Sequence, residues 1–243
     1  EFWELSVKEM NITIQRGERK VAYTHQTSGV LLEALEEIKH HIDPSLTFRS
    51  GCRSGVCGCC AVRVDGVEKR SCTTAVYEGM NVSPLKHAPL IRDLVVNEEP
   101  LLRKHQDLYF EGREDQKLTQ NDKTLFSLQS ECIECFACAS ACPILESNPN
   151  FLAPFALSRV WRYVVDKREE KGKQKLEAVQ KDGIWDCILC GDCTPVCPVG
   201  INPKNDISLL RARSLGAGFQ DPSFVSFGES FGGEFSFQEV KFC

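Results

Sequence analysis

CIECFACASACP, residues 132–143, and WDCILCGDCTPVCP, residues 185–198, carry one pattern twice. Cys132, Cys135, Cys138 and Cys142 precede Pro143, and Cys187, Cys190, Cys193 and Cys197 precede Pro198 at the same intervals. This is the run with which bacterial chains hold cubane iron–sulfur clusters. In such a run the first three thiolates share a cube, and the turn after the third directs the chain away, so the fourth reaches the other cluster. The geometry therefore groups Cys132, Cys135 and Cys138 with Cys197, and Cys187, Cys190 and Cys193 with Cys142. Two such runs in one chain leave structural zinc a poor alternative.

The text around the runs is helical. Pro154 suits a first helical residue, and Phe155, Val160, Trp161, Val164 and Val165 fall roughly on one side before Gly172. Residues 173–181 and 204–214 also read as helices. An all-α domain over 125–215, folded around what the cysteines bind, is the expectation.

Upstream the period changes. Residues 4–16 alternate as a strand up to Gly17, and VAYTH (21–25) returns. Leu31, Leu32, Leu35, Ile38 and Ile42 recur at helical spacing until Asp43-Pro44, with Thr27 or Ser28 as cap. AVRV (61–64) and VEKRS (67–71) flank Asp65-Gly66, a tight-hairpin signal. Between helix and hairpin stands SGCRSGVCGCC, in which Cys52, Cys57, Cys60 and the later Cys72 have the plant-type 2Fe-2S spacing. Gly51, Gly55 and Gly58 give backbone amides access to the cluster. Cys59 is expected to be a spectator that faces away from the iron. The chain thus reads as α+β: a small mixed sheet with one helix over 1–97, a polar connector with one short helix over 98–124, the helical domain, and a Phe/Gly/Ser-rich tail over 216–243.

Composition narrows the function. The 243 residues hold 14 cysteines, too many for chance and, without a secretory or twin-arginine start, better suited to metal and redox chemistry than to disulfides. A formal charge of −5 supplies no broad cationic face for nucleic acid. The longest apolar runs fall far short of the roughly 18 residues a membrane helix needs. No nucleotide-binding glycine motif stands out, and the five histidines show no metal-ligand spacing; His40 and His41 are expected in solvent. Three clusters without a catalytic motif make a relay whose substrate chemistry belongs to another subunit.

From about residue 20 to 212 the chain resembles the iron–sulfur subunit of the succinate dehydrogenase and fumarate reductase family. CRSGVCGCC with Cys72, IRDLVV (91–96), both cysteine runs and NPNFLAPFALSRVWRYVVDKRE (148–169) carry the likeness, in order and spacing. The resemblance implies a β-grasp 2Fe-2S ferredoxin domain followed by a helical dicluster ferredoxin domain. It implies a partner flavoprotein that interconverts succinate and fumarate at covalent FAD, and a membrane anchor subunit with a quinone or equivalent acceptor. The site is then the cytoplasmic face of the cell membrane. Electrons would pass through the 2Fe-2S centre, the 4Fe-4S cluster of Cys132, Cys135, Cys138 and Cys197, and a third cluster.

Two departures from the family pattern matter. The usual member has no cysteine at position 190 and a 3Fe-4S third cluster; Cys190 implies a 4Fe-4S cubane instead, as in the branch with heterodisulfide-reductase-like membrane subunits. Ubiquinone-reducing members place tryptophans after the first run and a histidine early in the second, where this chain has Ile144, Leu145, Glu146, Ser147 and Ile188. That tilts the acceptor toward a menaquinone-type or thiol-linked partner. The alternatives are a thiol-linked fumarate reductase, another flavin-dependent dehydrogenase, or a free-standing polyferredoxin. Seven phenylalanines between 219 and 242 suggest a tail that docks on a partner or near the membrane, since burying each is worth about 1.5–3 kcal/mol. Cys243 reads as an inert terminal thiol.

Overall fold

A computed structural model of the chain describes residues 9–105, 108–113 and 115–223. The alternating text about Gly17 forms a hairpin, in which β1 (Met10–Arg16) and β2 (Arg19–His25) pair antiparallel with Met10 opposite His25. Ile12 and Ile14 alternate onto its buried face. Asp65 and Gly66, at φ of 48° and 86°, make the turn whose twist suits a two-residue hairpin, and they join β3 (Ala61–Val64) to β4 (Val67–Arg70). Then β5 (Met80–Ser83) enters between the hairpins, parallel to β1 and antiparallel to β3, giving the order β2-β1-β5-β3-β4.

Helix α1 (Leu31–Glu37), prolonged by a π-helical turn at Ile38–Ile42, covers one face of this sheet. Leu31, Ala34, Leu35 and Ile38 share a core with Ile12, Ile14, Val62, Val64, Met80 and Val82. A helix lying across a mixed sheet is the expected β-grasp arrangement. Two local expectations need correction. The helix begins after Val30, whose N–H donates to Glu33 Oε2 at 3.1 Å. Thr27 is no cap because its N–H and hydroxyl both turn to Glu37. Ile42 is exposed despite its helical spacing, since the wider π turn rotates it off the sheet.

A second small hairpin, β6 (Leu90–Arg92) with β7 (Val95–Val96), is tied to the first by Arg16. The Arg16 guanidinium donates to Asp93 Oδ1 at 3.0 Å and to the Tyr23 hydroxyl at 3.0 Å, and it pairs with Asp43. The connector carries two short helices instead of one, α2 (Glu99–Arg103) and α3 (Gln120–Thr124). It is less polar in role than in composition: Leu101 and Leu108 are buried. Arg113 N donates to Arg168 O at 2.9 Å and Glu170 N to Glu111 O at 3.0 Å, which fastens it to the helical half.

That half contains α4 (Ser127–Ser130), α5 (Ala137–Ser140), α6 (Ile144–Ser147), α7 (Pro154–Val164), α8 (Gly172–Ala178) and α9 (Pro203–Gly216). Pro154 stands in the first turn of α7, where its missing N–H costs nothing. Phe155, Leu157, Val160 and Val164 of α7 pack with Leu176 of α8 and Ile207 and Leu210 of α9. The buried face differs from the sequence reading: Trp161 is half-buried and Val165 ends the helix, while Ala156, Leu157, Ser158 and Tyr163 are buried as well. Ala61, Leu85 and Val96 from the sheet half join this same core. Ser140 adds a polar bridge: its hydroxyl donates to Glu68 Oε1 at 2.8 Å and accepts from Lys86 N at 2.9 Å. The tail beyond Ser223 and Cys243 lie outside the described residues.

Candidate iron-sulfur centres

The loop of residues 52–60 is bent by Arg53, Gly55 and Gly58, all at positive φ. The bends turn three backbone N–H groups, from Ser54 (3.5 Å), Val56 (3.2 Å) and Cys57 (3.3 Å), onto Cys52 Sγ. Those N–H groups, Ser54's first, lower the Cys52 pKa to about 6 and so favour the thiolate, the form that binds metal. The β3–β4 hairpin returns Cys72 to Cys60, with sulfurs 3.3 Å apart and both side chains buried. Cys52, Cys57, Cys60 and Cys72 are thus brought to one place.

Cys59 does not face away from this group. Its sulfur lies 3.2 Å from Cys57 Sγ, and the absent side chain of Gly51 makes room: a Cβ there would come within 2.8 Å of Cys59 Sγ. Burial, before the neighbouring thiols, raises the Cys59 pKa to about 12.

In the helical half Cys132, Cys135, Cys138 and Cys197 line a single small cavity with Phe155, Ser158, Ile201 and Pro203. Among the described residues no three His, Cys, Asp or Glu side chains converge on the space of a single ion; these thiols ring a cavity instead. Cys132 and Cys135 both lie within electrostatic reach of Cys197, 65 and 62 residues away in sequence. Cys142 senses Cys187 and Cys190, and Cys193 senses Cys187, Cys142 and Cys190. The fourth cysteine of each run therefore sits beside the first three of the other. Desolvation raises the Cys135 pKa to about 11, that of Cys193 to about 12, and that of Cys138 well above its usual value. Such thiols part with their protons when a cation takes the site, which fits metal-bound thiolates.

The two runs share a backbone as well as a spacing. Glu134 and Phe136, two and four residues after Cys132, take φ of 51° and 58°. Leu189 and Gly191, two and four residues after Cys187, take φ of 54° and 95°. Left-handed Glu, Phe and Leu cost about 1–2 kcal/mol each, so surrounding packing holds them there. Arg211 of α9 helps at the second run, donating to Ile184 O at 2.8 Å and to the carbonyl of Cys187. Cys190, exposed, occupies the same place between its left-handed neighbours as Cys135 does in the first run.

The loop and the first run touch. A Cβ on Gly58 would come within 2.7 Å of Cys135 Cβ and 3.0 Å of Ile133 O. Sequence reading missed this contact, for Gly58 carries no signal of its partner 77 residues on. It also missed Asp206, although a carboxylate at helical spacing with buried Pro203, Ile207 and Leu210 is an oddity visible in the text. The quinone-related positions separate: Leu145 is buried in the core, while Ile188 is 64% exposed beside Cys187.

Residues 7–103 match the model of a 2Fe-2S iron–sulfur cluster binding domain, and residues 128–201 that of a 4Fe-4S dicluster domain. The chain is 32% identical over 224 residues to the fumarate reductase iron–sulfur subunit of Mycobacterium tuberculosis, covering 83% of this chain and 90% of that one. It is 32% identical over 195 residues to the succinate dehydrogenase iron–sulfur subunit of Paracoccus denitrificans, covering 75% of each. A chain of the Mycobacterium smegmatis Sdh1 complex in the apo form has the same fold, with a TM-score of 0.81 at 22% identity over 89% of this chain and 100% of its own.

Proposed function

The chain belongs to the iron–sulfur subunits of succinate dehydrogenase and fumarate reductase, and on that premise we propose how its residues divide the work. It is an electron-transfer subunit of an oxidoreductase complex, and membership implies a flavoprotein and a membrane subunit as partners. No helix among the described residues is long and apolar enough to cross a membrane.

Cys52, Cys57, Cys60 and Cys72 hold the 2Fe-2S cluster; Cys132, Cys135, Cys138 and Cys197 hold a 4Fe-4S cluster; Cys142, Cys187, Cys190 and Cys193 hold the third. When bound, the clusters supply sites that each take and give one electron. The observation that carries this reading is the crossed gathering of Cys197 with the first run and Cys142 with the second. The chain's own contributions follow. N–H groups of the first loop steady the Cys52 thiolate, Gly58 lets that loop lie on Cys135 with no side chain between, and Phe155 and Ile201 keep water from the second set.

The repeated left-handed pair supports Cys190 as a ligand and a 4Fe-4S third cluster. The FAD-bearing flavoprotein, which interconverts succinate and fumarate, docks where Cys52, Val56 and Cys57 are exposed. A quinone-linked membrane subunit docks where Ile188 is exposed, at the cytoplasmic face of the membrane; a thiol-linked acceptor is the competing outcome.

EPR of the anaerobically purified complex with iron counted per chain tests this. About ten irons and an oxidised state without signal are expected, and Cys190→Ala should give about nine irons and a signal in the oxidised state. An oxidised signal and about nine irons in the native protein, with aerobic damage excluded, would remove Cys190 from the ligand set. Co-purification of a flavoprotein and assay with quinones or dithiols identifies the two partners.

A further inference from the structure

Asp206, in the first turn of α9, is a carboxylate in the apolar core, 1% exposed. Its Oδ1 accepts from Gln129 Nε2 of α4 at 2.9 Å, and its Oδ2 has no hydrogen-bond partner in the structure. Ser158 of α7 lies close enough to ease its charge, and Ser158 and Pro203 are both in the wall of the cavity that Cys132, Cys135, Cys138 and Cys197 line. The carboxyl therefore stands directly behind that wall, where added negative charge is felt strongly because little water intervenes.

The charged groups on the elements packed around it are engaged elsewhere. Arg159 of α7 pairs with Glu134, and Arg162 stacks on Tyr163. Lys175 of α8 pairs with Glu169. On α9 itself Arg211 holds the carbonyls of residues 184–187, and Lys204 and Arg213 are exposed. Burial outweighs the Ser158 and Gln129 contacts and raises the Asp206 pKa to about 6, into the range where a proton can be gained or lost near neutrality.

We propose that Asp206 is a positioning residue for electron transfer, taking up a proton from solvent at Oδ2 when an electron arrives at the adjoining set of Cys132, Cys135, Cys138 and Cys197. The inference rests on that ligand assignment. The balance is simple: one electron enters from the partner flavoprotein or returns from the membrane side, and one proton converts the carboxylate to a carboxyl. Both leave when the electron moves on. Arg159 and Arg70 ease charge at Cys132 and Cys135, and the carboxyl adds a group that can be neutralised behind the wall of Ser158 and Pro203.

The test is an EPR-monitored redox titration of the assembled complex between pH 5.5 and 8.5. The midpoint potential of this cluster is expected to fall as pH rises above about 6, because an ionised Asp206 opposes the incoming electron. Asp206→Asn should be flat with pH and lie above the native value at the alkaline end, while Asp206→Glu restores the slope. A native potential that does not move with pH overturns the proposal. If Asp206→Asn does not assemble, a reduced-minus-oxidised infrared difference spectrum of the native complex decides: a protonated-carboxyl band must appear on reduction, and its absence is fatal to the idea. Loss of the cubane signal after Cys138→Ala tests the ligand assignment separately, so the two readings can fail independently.

Discussion

At the surface loop of residues 52–60 and in the two cysteine runs of the helical half, backbone N–H groups reach cysteine sulfur, yet Cys52 ends in the opposite state to Cys135 and Cys193. Cys52 is exposed, and N–H donation lowers its pKa to about 6. Cys135 and Cys193 lie in the helical core, and burial raises theirs to about 11 and about 12. Backbone dipoles dominate where water solvates the charge, and desolvation dominates where it does not. The sheet half thus prepares a thiolate by itself, whereas the helical half depends on bound cations to ionise thiols that its core would otherwise keep neutral.

The largest expected effect breaks this symmetry outright. Removing iron from the complex with a chelator under reducing conditions should unfold residues 125–215 and leave the β-grasp sheet standing. Hydrogen exchange measured residue by residue checks it: equal protection in both halves after chelation would refute the contrast. The helical half also leans on one buried ion pair, Lys175 Nζ to Glu169 Oε1 at 2.9 Å, with both side chains almost wholly buried. Lys175→Met strands the carboxylate and is expected to cost about 3–5 kcal/mol in a denaturant titration of the loaded protein. A cost below about 1 kcal/mol would mean that the pair is not buried in solution.

The junction between the two regions gives a smaller effect. Gly58→Ala adds a Cβ 2.7 Å from Cys135 Cβ at a φ of +74°, so it should lower stability by about 1–3 kcal/mol and slow electron passage between the first two centres. Rapid-freeze EPR measures the second quantity; an unchanged rate would separate the contact from the electron route.

The smallest effect belongs to the sheet half alone. His25 is 1% exposed, and burial lowers its pKa despite Glu37 and Glu78 nearby. Its folded form binds a proton less readily than the unfolded chain, so stability is full above pH about 6.5 and is lost as pH falls below it. The slope for this group is at most about 1.4 kcal/mol per pH unit. His25→Leu should flatten that part of the thermal-melt profile; a slope identical to the native one would assign it to other groups.

Much of this was legible beforehand, unevenly. The Asp65-Gly66 turn and Pro154 at the start of α7 are local signals, and the structure follows them. Thr27 misled because Glu37, ten residues on, competes for its hydroxyl. The connector misled because its charges outnumber Leu101 and Leu108, the two side chains that bury it. Cys59 misled because Gly51 opens space for its sulfur beside Cys57, a pairing that no spacing rule encodes.

Sequence alone determined the order of the cysteine groups along the chain and the two kinds of domain that carry them. Those follow from covalent spacing and side-chain period, which act over a few residues and need no partner. Tertiary structure alone decided that Gly58 rests on Cys135, that Ser140 bridges Glu68 and Lys86, and that Asp206 holds Gln129 by one oxygen while the other has no hydrogen-bond partner. Each joins segments distant in the chain, and only the burial of a shared core brings such segments within the few ångströms over which contact and charge act.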